Sequence, residues 1–355
     1  VQLQSYVLRG GRVIDPESGL DAEMDLAVAG GAVSAIAQGL PPGGEELDVA
    51  GAVVAPGFID LHSHAQSLAG RRLQACDGVT CALDLEAGRV EVDAAYRASQ
   101  AEGSPIHYGF SASWAAVRMG VTAGLRPAAG PSGILELLGD AAWKKPAQGS
   151  ELSRILGALE DEVGAGALGI GLLMGYAQLV SPEEYLAVAG LAAGLAVPTF
   201  THTRDLVETW PEVPFDGAEE LVRAAGESGA HMHYCHVNST SGQHVDRVLD
   251  LVERCRREGG RVTTEAYPYG RAATAIGSDF LSPDRLGAEG LVPADLTYLP
   301  TGEQIADDER LLELRHLDPG GVVVIRYLEE DDPVLRRSRQ FEEAVVASDA
   351  MPLVS

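Results

Sequence analysis

A chain of 355 residues, 46% of them hydrophobic, is long enough for a large barrel with an appendage and for a sizeable core. Its formal net charge of −26 argues against nucleic acid or an anionic membrane as partner, since both would repel it. Four cysteines (Cys76, Cys81, Cys235 and Cys255) without a C-x-x-C pair argue against a disulfide framework and for a reducing compartment, so a cytoplasmic location is expected.

The chain starts Val1-Gln-Leu-Gln-Ser-Tyr6, without the basic and apolar pattern of a signal segment. No apolar run approaches the ~20 residues of a transmembrane helix. Residues 1–55 read as short strands and turns: Tyr6-Val-Leu-Arg alternates, and Met24 to Ala29 is followed by a Gly30-Gly31 turn and Ala32 to Ala37. This predicts a small β domain, incomplete as it stands. From residue 56 to 355 strand-like runs alternate with helix-like ones. Eight runs are expected as strands: Val54 to Asp60, Val79 to Leu85, His107 to Ala112, Ala167 to Leu173, Pro198 to Thr201, His231 to Cys235, Val262 to Ala266, and Ala344 to Ala347. Helical periodicity marks Ser150 to Val163, Pro182 to Ala193, Ala218 to Ser228 and His244 to Arg257, with Ser181 and Pro182 as a helix start. Alternating β and α units predict a (β/α)₈ barrel of the TIM type. Residues 281–320 read as irregular, with Pro293 to Pro300 as a loop over the barrel mouth.

Chemistry in such a barrel belongs at the C-terminal ends of the strands. The first strand leads into Ala55-Pro-Gly-Phe-Ile-Asp-Leu-His-Ser-His64, and residues i and i+2 of a strand share a face, so His62 and His64 leave side by side. Alone, an H-x-H pair is weak evidence for a metal. Yet the second strand runs on to Glu86, the fifth ends in His202, the sixth in His236 and the eighth in Asp349, so four histidines and two carboxylates converge on one rim. The remaining histidines, His107, His244 and His316, belong to no such group and are expected at the surface or in the core; strand parity separates His231 and His233 from His236.

This pattern of P-G-F-I-D-x-H-x-H, a fifth-strand His, a sixth-strand His and an eighth-strand Asp resembles the amidohydrolase superfamily. Gly78 to Gly88, Tyr234 to Ser241, Val262 to Gly270 and Ala347 to Pro352 resemble the N-acyl-D-amino-acid deacylases, and among them the N-acyl-D-glutamate branch. The resemblance implies zinc, as one or two divalent ions. It implies that His62, His64 and Asp349 hold one ion and His202 and His236 the other. Many relatives bridge the ions with a carboxylated fourth-strand lysine, but Ala167 to Met174 has none; the chain's only lysines are Lys144 and Lys145. Deacylases of this kind often bridge with a cysteine after the second strand; the matching region here offers Glu86, with Cys81 as the deeper alternative and Asp84 as a partner behind the ligands.

The implied reaction is metal-assisted hydrolysis of an N-acyl amino acid, with Asp349 relaying a proton from water to the leaving amine. The substrate carboxylate calls for a fixed cation, for which Arg204, Arg118 and Arg271 are candidates. Tyr176 is a candidate donor to that carboxylate or to the oxyanion, with Tyr267 and Tyr269 behind it. Where related deacylases carry a lysine two residues past the sixth-strand histidine, this chain has Asn238. Relatives also continue beyond the eighth-strand Asp, so a fragment is expected. Two other readings stand: another amidohydrolase, such as a hydantoinase-like or dihydroorotase-like cyclic-amide hydrolase or an isoaspartyl dipeptidase, and a barrel that has lost catalysis.

Overall fold

The computed structural model describes residues 5–128, 130 and 133–352, which fall into two compact units, Val1–Phe58 and Ile59–Ser355. In the first, strands Tyr6–Asp15, Leu20–Ala29 and Ala32–Ala37 pair antiparallel in sequence, and Glu45–Asp48 joins Tyr6–Asp15 in parallel. Gly30 and Gly31 have φ of 61° and 83°, the doubly positive conformation that a tight hairpin demands and that glycine adopts without a Cβ clash. Val53–Val54 also pairs with this sheet, opposite Arg12 and Val13. The expected first barrel strand is therefore shorter at its start: Pro56, which lacks an N–H, and Gly57 separate Val54 from a strand that begins at Phe58.

Eight strands form the barrel sheet, Phe58–Asp60, Val79–Arg89, His107–Ser113, Ile170–Leu173, Thr199–His202, His231–Tyr234, Arg261–Ala266 and Ala344–Val346, ordered around the sheet as they occur along the chain and parallel from the second to the eighth. The first and last edges approach through a bridge between Ser63 and Ala350 and through the Ser348 N–H, which donates to Asp60 Oδ1 at 3.0 Å. This is the nearly closed (β/α)₈ barrel read from the alternation. Its helices bury their apolar stripes against the outside of the strands. Helix Pro182–Gly194 is capped by the Ser181 side chain, which accepts from the Glu184 N–H, and has Pro182 in its first turn, as the sequence predicts. Val188, Ala189 and Ala192 of that helix and Leu221, Ala224 and Ala225 of helix Gly217–Ser228 share one core with Ile170 and Leu172 of the fourth strand. A smaller cluster of Leu85, Phe200 and Cys235 fills the barrel interior below the rim.

Residues 281–320 are not irregular. Strands Arg271–Ala275, Val322–Arg326, Leu296–Tyr298 and Glu303–Gln304 form a four-stranded antiparallel sheet between the seventh and eighth barrel strands, with helices Pro283–Ala288 and Asp308–Leu317. It has its own core, including Ile276, Leu286, Leu296, Ile305, Leu311 and Val323. The expected loop Pro293 to Pro300 is a short helical turn leading into its strand Leu296–Tyr298. Among the described residues no helix is long and apolar enough to cross a membrane, and all four cysteines are free.

Candidate active site

Six side chains from five strand ends meet at the C-terminal rim, and the carboxylate of Glu86 lies among them. Its Oε1 is 2.7 Å from His236 Nε2 and 3.0 Å from His202 Nδ1. Its Oε2 is 3.3 Å from His62 Nε2 and 3.4 Å from His64 Nε2. Asp349 Oδ1 stands 3.4 Å from His62 Nε2 and 3.6 Å from His64 Nε2. One oxygen of Glu86 thus serves the pair from the fifth and sixth strands, and the other serves the pair from the first. Cys81 belongs to none of the groups able to hold an ion among the described residues. It sits near the start of the second strand, five residues before Glu86.

The local backbone explains why these residues reach the rim together. His62 and His64 follow the last strand residue, Asp60, and keep the i, i+2 alternation. Asp84 and Glu86 share parity on the second strand. Asp84 Oδ1 accepts from His64 Nδ1 at 2.9 Å, as expected for a partner behind a ligand. His236 and Asp349 lie just past their strands at φ of 35° and 50°, a left-handed conformation that side chains other than glycine rarely adopt. Such residues cost about 1–3 kcal/mol each and concentrate at functional sites. Because His236 has already left the strand, parity does not govern where its ring points. Gly175 makes room for the fifth-strand ligand, since a Cβ there would lie 2.3 Å from His202 Cδ2.

The electrostatics fit a cation. The Nδ1 atoms of His62 and His64 face the carboxylates of Glu265 and Asp84. Each carboxylate accepts from an Nδ1–H, which turns the two Nε2 atoms toward each other 3.1 Å apart. Two facing ring nitrogens beside two carboxylates suit a divalent ion, which would take the place of their protons. Burial drives the His62 pKa down, but the charges of Glu265, Asp349 and Glu86 more than offset it and hold that imidazole well above its ordinary value. Burial likewise pushes His64 down, and Asp84 and Glu86 lift it to about 9. For Glu86, burial pushes up and the surrounding imidazoles, His62 foremost, bring the carboxyl well below its usual range. His202 is the exception, lowered by burial. The described residues therefore suit a divalent ion, or two.

The cluster opens into a cavity of about 1120 Å³. Tyr176 lines it, its ring 4.9 Å from that of His202 and its hydroxyl 2.8 Å from Thr274 Oγ1. Tyr267 lines it too; its hydroxyl is buried, with no hydrogen-bond partner among the described residues, and its ring stacks on Tyr269 at 5.0 Å. His244, expected outside any site, is at the cavity wall, whereas His107 and His316 are exposed.

Of the three arginines expected to receive a substrate carboxylate, only Arg204 lines the cavity, and all three are held in other contacts. Arg204 is buried and committed to the scaffold: Nε donates to Glu220 at 2.7 Å, and its other nitrogens donate to the carbonyl oxygens of Ala177, Gln178 and Val180. Arg118 is equally buried, 2.9 Å from Glu184 and bonded to the carbonyls of Trp143 and Lys145. Arg271 is exposed on the antiparallel sheet, 4.0 Å from Glu330, and does not line the cavity. The sequence shows the arginines near strand ends but not the carboxylates and carbonyls that neutralise them. Asn238 bonds Tyr327 and the backbone of Tyr267.

One buried residue, Glu265, has no place among the site residues read from the sequence. Glu265, on the seventh strand, contacts His62 Nδ1 and lies 3.1 Å from His233 Nε2. The one signal for Glu265 was a carboxylate in an otherwise uncharged strand segment, Val262 to Ala266.

Comparison with known proteins agrees with this architecture. The crystal structure of N-acyl-D-glutamate deacylase from Bordetella bronchiseptica, complexed with zinc and a phosphonate inhibitor, is similar with a TM-score of 0.74 at 20% identity, covering 98% of this chain and 76% of that one. A dihydroorotase from Trichlorobacter lovleyi is 28% identical over 284 residues, 75% of this chain and 61% of the relative. A dihydroorotase from Citrifermentans bemidjiense is 45% identical over 62 residues, 17% of this chain and 15% of the relative. The chain thus spans less than two thirds of these dihydroorotases. Residues 45–314 match the pattern of the amidohydrolase family, and the chain belongs to that family.

Proposed function

We propose that this chain hydrolyses linear amides of the N-acyl-D-amino-acid class, N-acyl-D-glutamate among them, at a metal centre bridged by Glu86. The observation that carries the metal centre in this reading is the division of the Glu86 oxygens between two pairs of histidines. His62, His64, Asp349 and Glu86 Oε2 would hold one ion, and His202, His236 and Glu86 Oε1 the other. Zinc suits this set of imidazoles and carboxylates. A divalent ion supplies Lewis acidity, making water a stronger nucleophile near neutral pH and polarising a carbonyl oxygen. Asp349 accepts the proton of the attacking water and delivers it to the leaving amine nitrogen as the amide C–N bond breaks. Tyr267 and Tyr176 line the cavity, and in this reading their hydroxyls would donate to substrate oxygens.

The structural similarity to the deacylase supports the fold of this reading, and the lack of lysine on the fourth strand favours it over the cyclic-amide hydrolases. The dihydroorotase similarity over 284 residues favours a second reading, opening of a cyclic amide. One screen separates them: metal-reconstituted protein offered N-acetyl-D- and L-amino acids beside dihydroorotate, hydantoins and β-aspartyl dipeptides. Amine release from the N-acetyl-D-amino acids is expected. Turnover confined to cyclic amides or to L-substrates would overturn the proposal.

A further inference from the structure

Glu265 is a buried carboxylate, 1% exposed, that the proposed reaction does not use. It stands behind the rim, on the seventh strand. One oxygen, Oε1, contacts His62 Nδ1 and also lies 3.4 Å from the backbone N–H of His236. The other, Oε2, lies 3.1 Å from His233 Nε2, and His233 Nδ1 is 2.8 Å from Thr263 Oγ1. Burying a carboxylate this deeply is costly unless every lone pair is used. Here the partners belong to both halves of the site: a ring from the first strand, and the main chain of the sixth strand at the point where it turns left-handed.

We infer that Glu265 is a positioning residue that makes the metal centre possible, with His233 as its own support. The inference rests on the metal reading above. By accepting the Nδ1–H of His62, Glu265 fixes the tautomer that leaves the Nε2 lone pair free for an ion and sets the tilt of the ring. Its bond to the His236 N–H holds the second histidine's backbone at φ 35°. One carboxylate thereby sets the spacing between a ligand of each half. Asp84 bonds His64 and the Gly88 N–H, pairs with Arg89, and has no bond to His202 or His236 in the other half.

The test is metal affinity rather than turnover. Chelator-stripped wild type and Glu265→Gln are titrated with Co²⁺, following the visible spectrum and heat, with folding checked by circular dichroism. Removing such a partner typically weakens metal binding about 10–100-fold. The folded variant is expected to bind Co²⁺ that much more weakly, to keep the wild-type spectrum at saturation because no ligand has been removed, and to regain most of its kcat in excess metal with KM unchanged. Wild-type affinity in the folded variant would overturn the inference. So would a changed saturated spectrum, which would make Glu265 itself a ligand. If Glu265→Gln does not fold, His233→Gln is titrated in its place. A several-fold loss of affinity is then expected, and none would refute the role. A wild-type chain that takes up no Co²⁺ would instead overturn the metal reading.

Discussion

Gly175 sits between the fourth strand and the ring of His202, and replacing it with alanine is a direct probe of how tightly that ligand is held. The added Cβ would lie 2.3 Å from His202 Cδ2, 2.7 Å from Nε2 and 2.7 Å from the Thr203 carbonyl oxygen. Restoring ordinary contact, about 3.4 Å or more, requires the imidazole to retreat by about 1 Å. The Thr203 oxygen belongs to the main chain, so the ring is the part that gives. Overpacking of this kind costs about 1–3 kcal/mol, and a shift of about 1 Å in a catalytic constellation costs about 10²-fold in rate. Gly175→Ala is therefore expected to lower turnover about 100-fold and to lose affinity for the ion held by His202, with a melting temperature only a few degrees lower. The control is Gly190→Ala. Gly190 is exposed in helix Pro182–Gly194, and a Cβ there meets nothing within 4 Å. This variant should keep full activity and gain up to about 1 kcal/mol of stability from the better helix propensity of alanine. Calorimetric melting, metal content and amine release on the three proteins decide the matter. Wild-type turnover and metal content in Gly175→Ala would refute the claim that His202 has no room to move.

Asp349→Asn should keep its metal but lose about 10²- to 10⁴-fold in turnover, the usual contribution of a general acid–base group; near-wild-type turnover would remove Asp349 from that role. Arg204→Ala breaks a buried pair and should cost about 3–5 kcal/mol of stability, read as a lower melting temperature; an unchanged melting temperature with a raised KM would make Arg204 a substrate ligand instead. The metal-free protein should weaken in acid. Burial pushes the carboxyls of Asp84 and Glu265 up, but Arg89 and His64 for the first, and His62 and His233 for the second, hold both below their ordinary values. Near pH 4 the unfolded chain then binds more protons than the native one. The stability from these two groups is present above the usual carboxylate range of about 4 and is lost as pH falls through their native values. Urea midpoints of the metal-free protein should fall between pH 6 and pH 3, and fall less in Glu265→Gln; equal slopes would contradict this.

The residues that meet at the rim were legible because they follow from local rules. Parity places His62 beside His64 and Asp84 beside Glu86, and chemistry at barrel strand ends singles out His202, His236 and Asp349. Glu86 in particular emerged because no lysine was available on the fourth strand. What stayed hidden depends on partners distant in sequence. Arg204 reads as a free cation until Glu220 and three carbonyls close around it. Glu265 is 203 residues from the ring it contacts. The antiparallel sheet was missed for the same reason. Arg271–Ala275 pairs with Val322–Arg326 some fifty residues on, and neither segment alone carries a hairpin turn signal.

The proposed chemistry stands on a two-ion site held together by the carboxylate of Glu86. It is tested most directly by counting zinc bound per chain in stripped and reconstituted protein, wild type against Glu86→Ala. Two ions are expected in the wild type and at most one, more weakly held, in the variant. Equal counts in the two proteins, or no zinc bound by either, would contradict it.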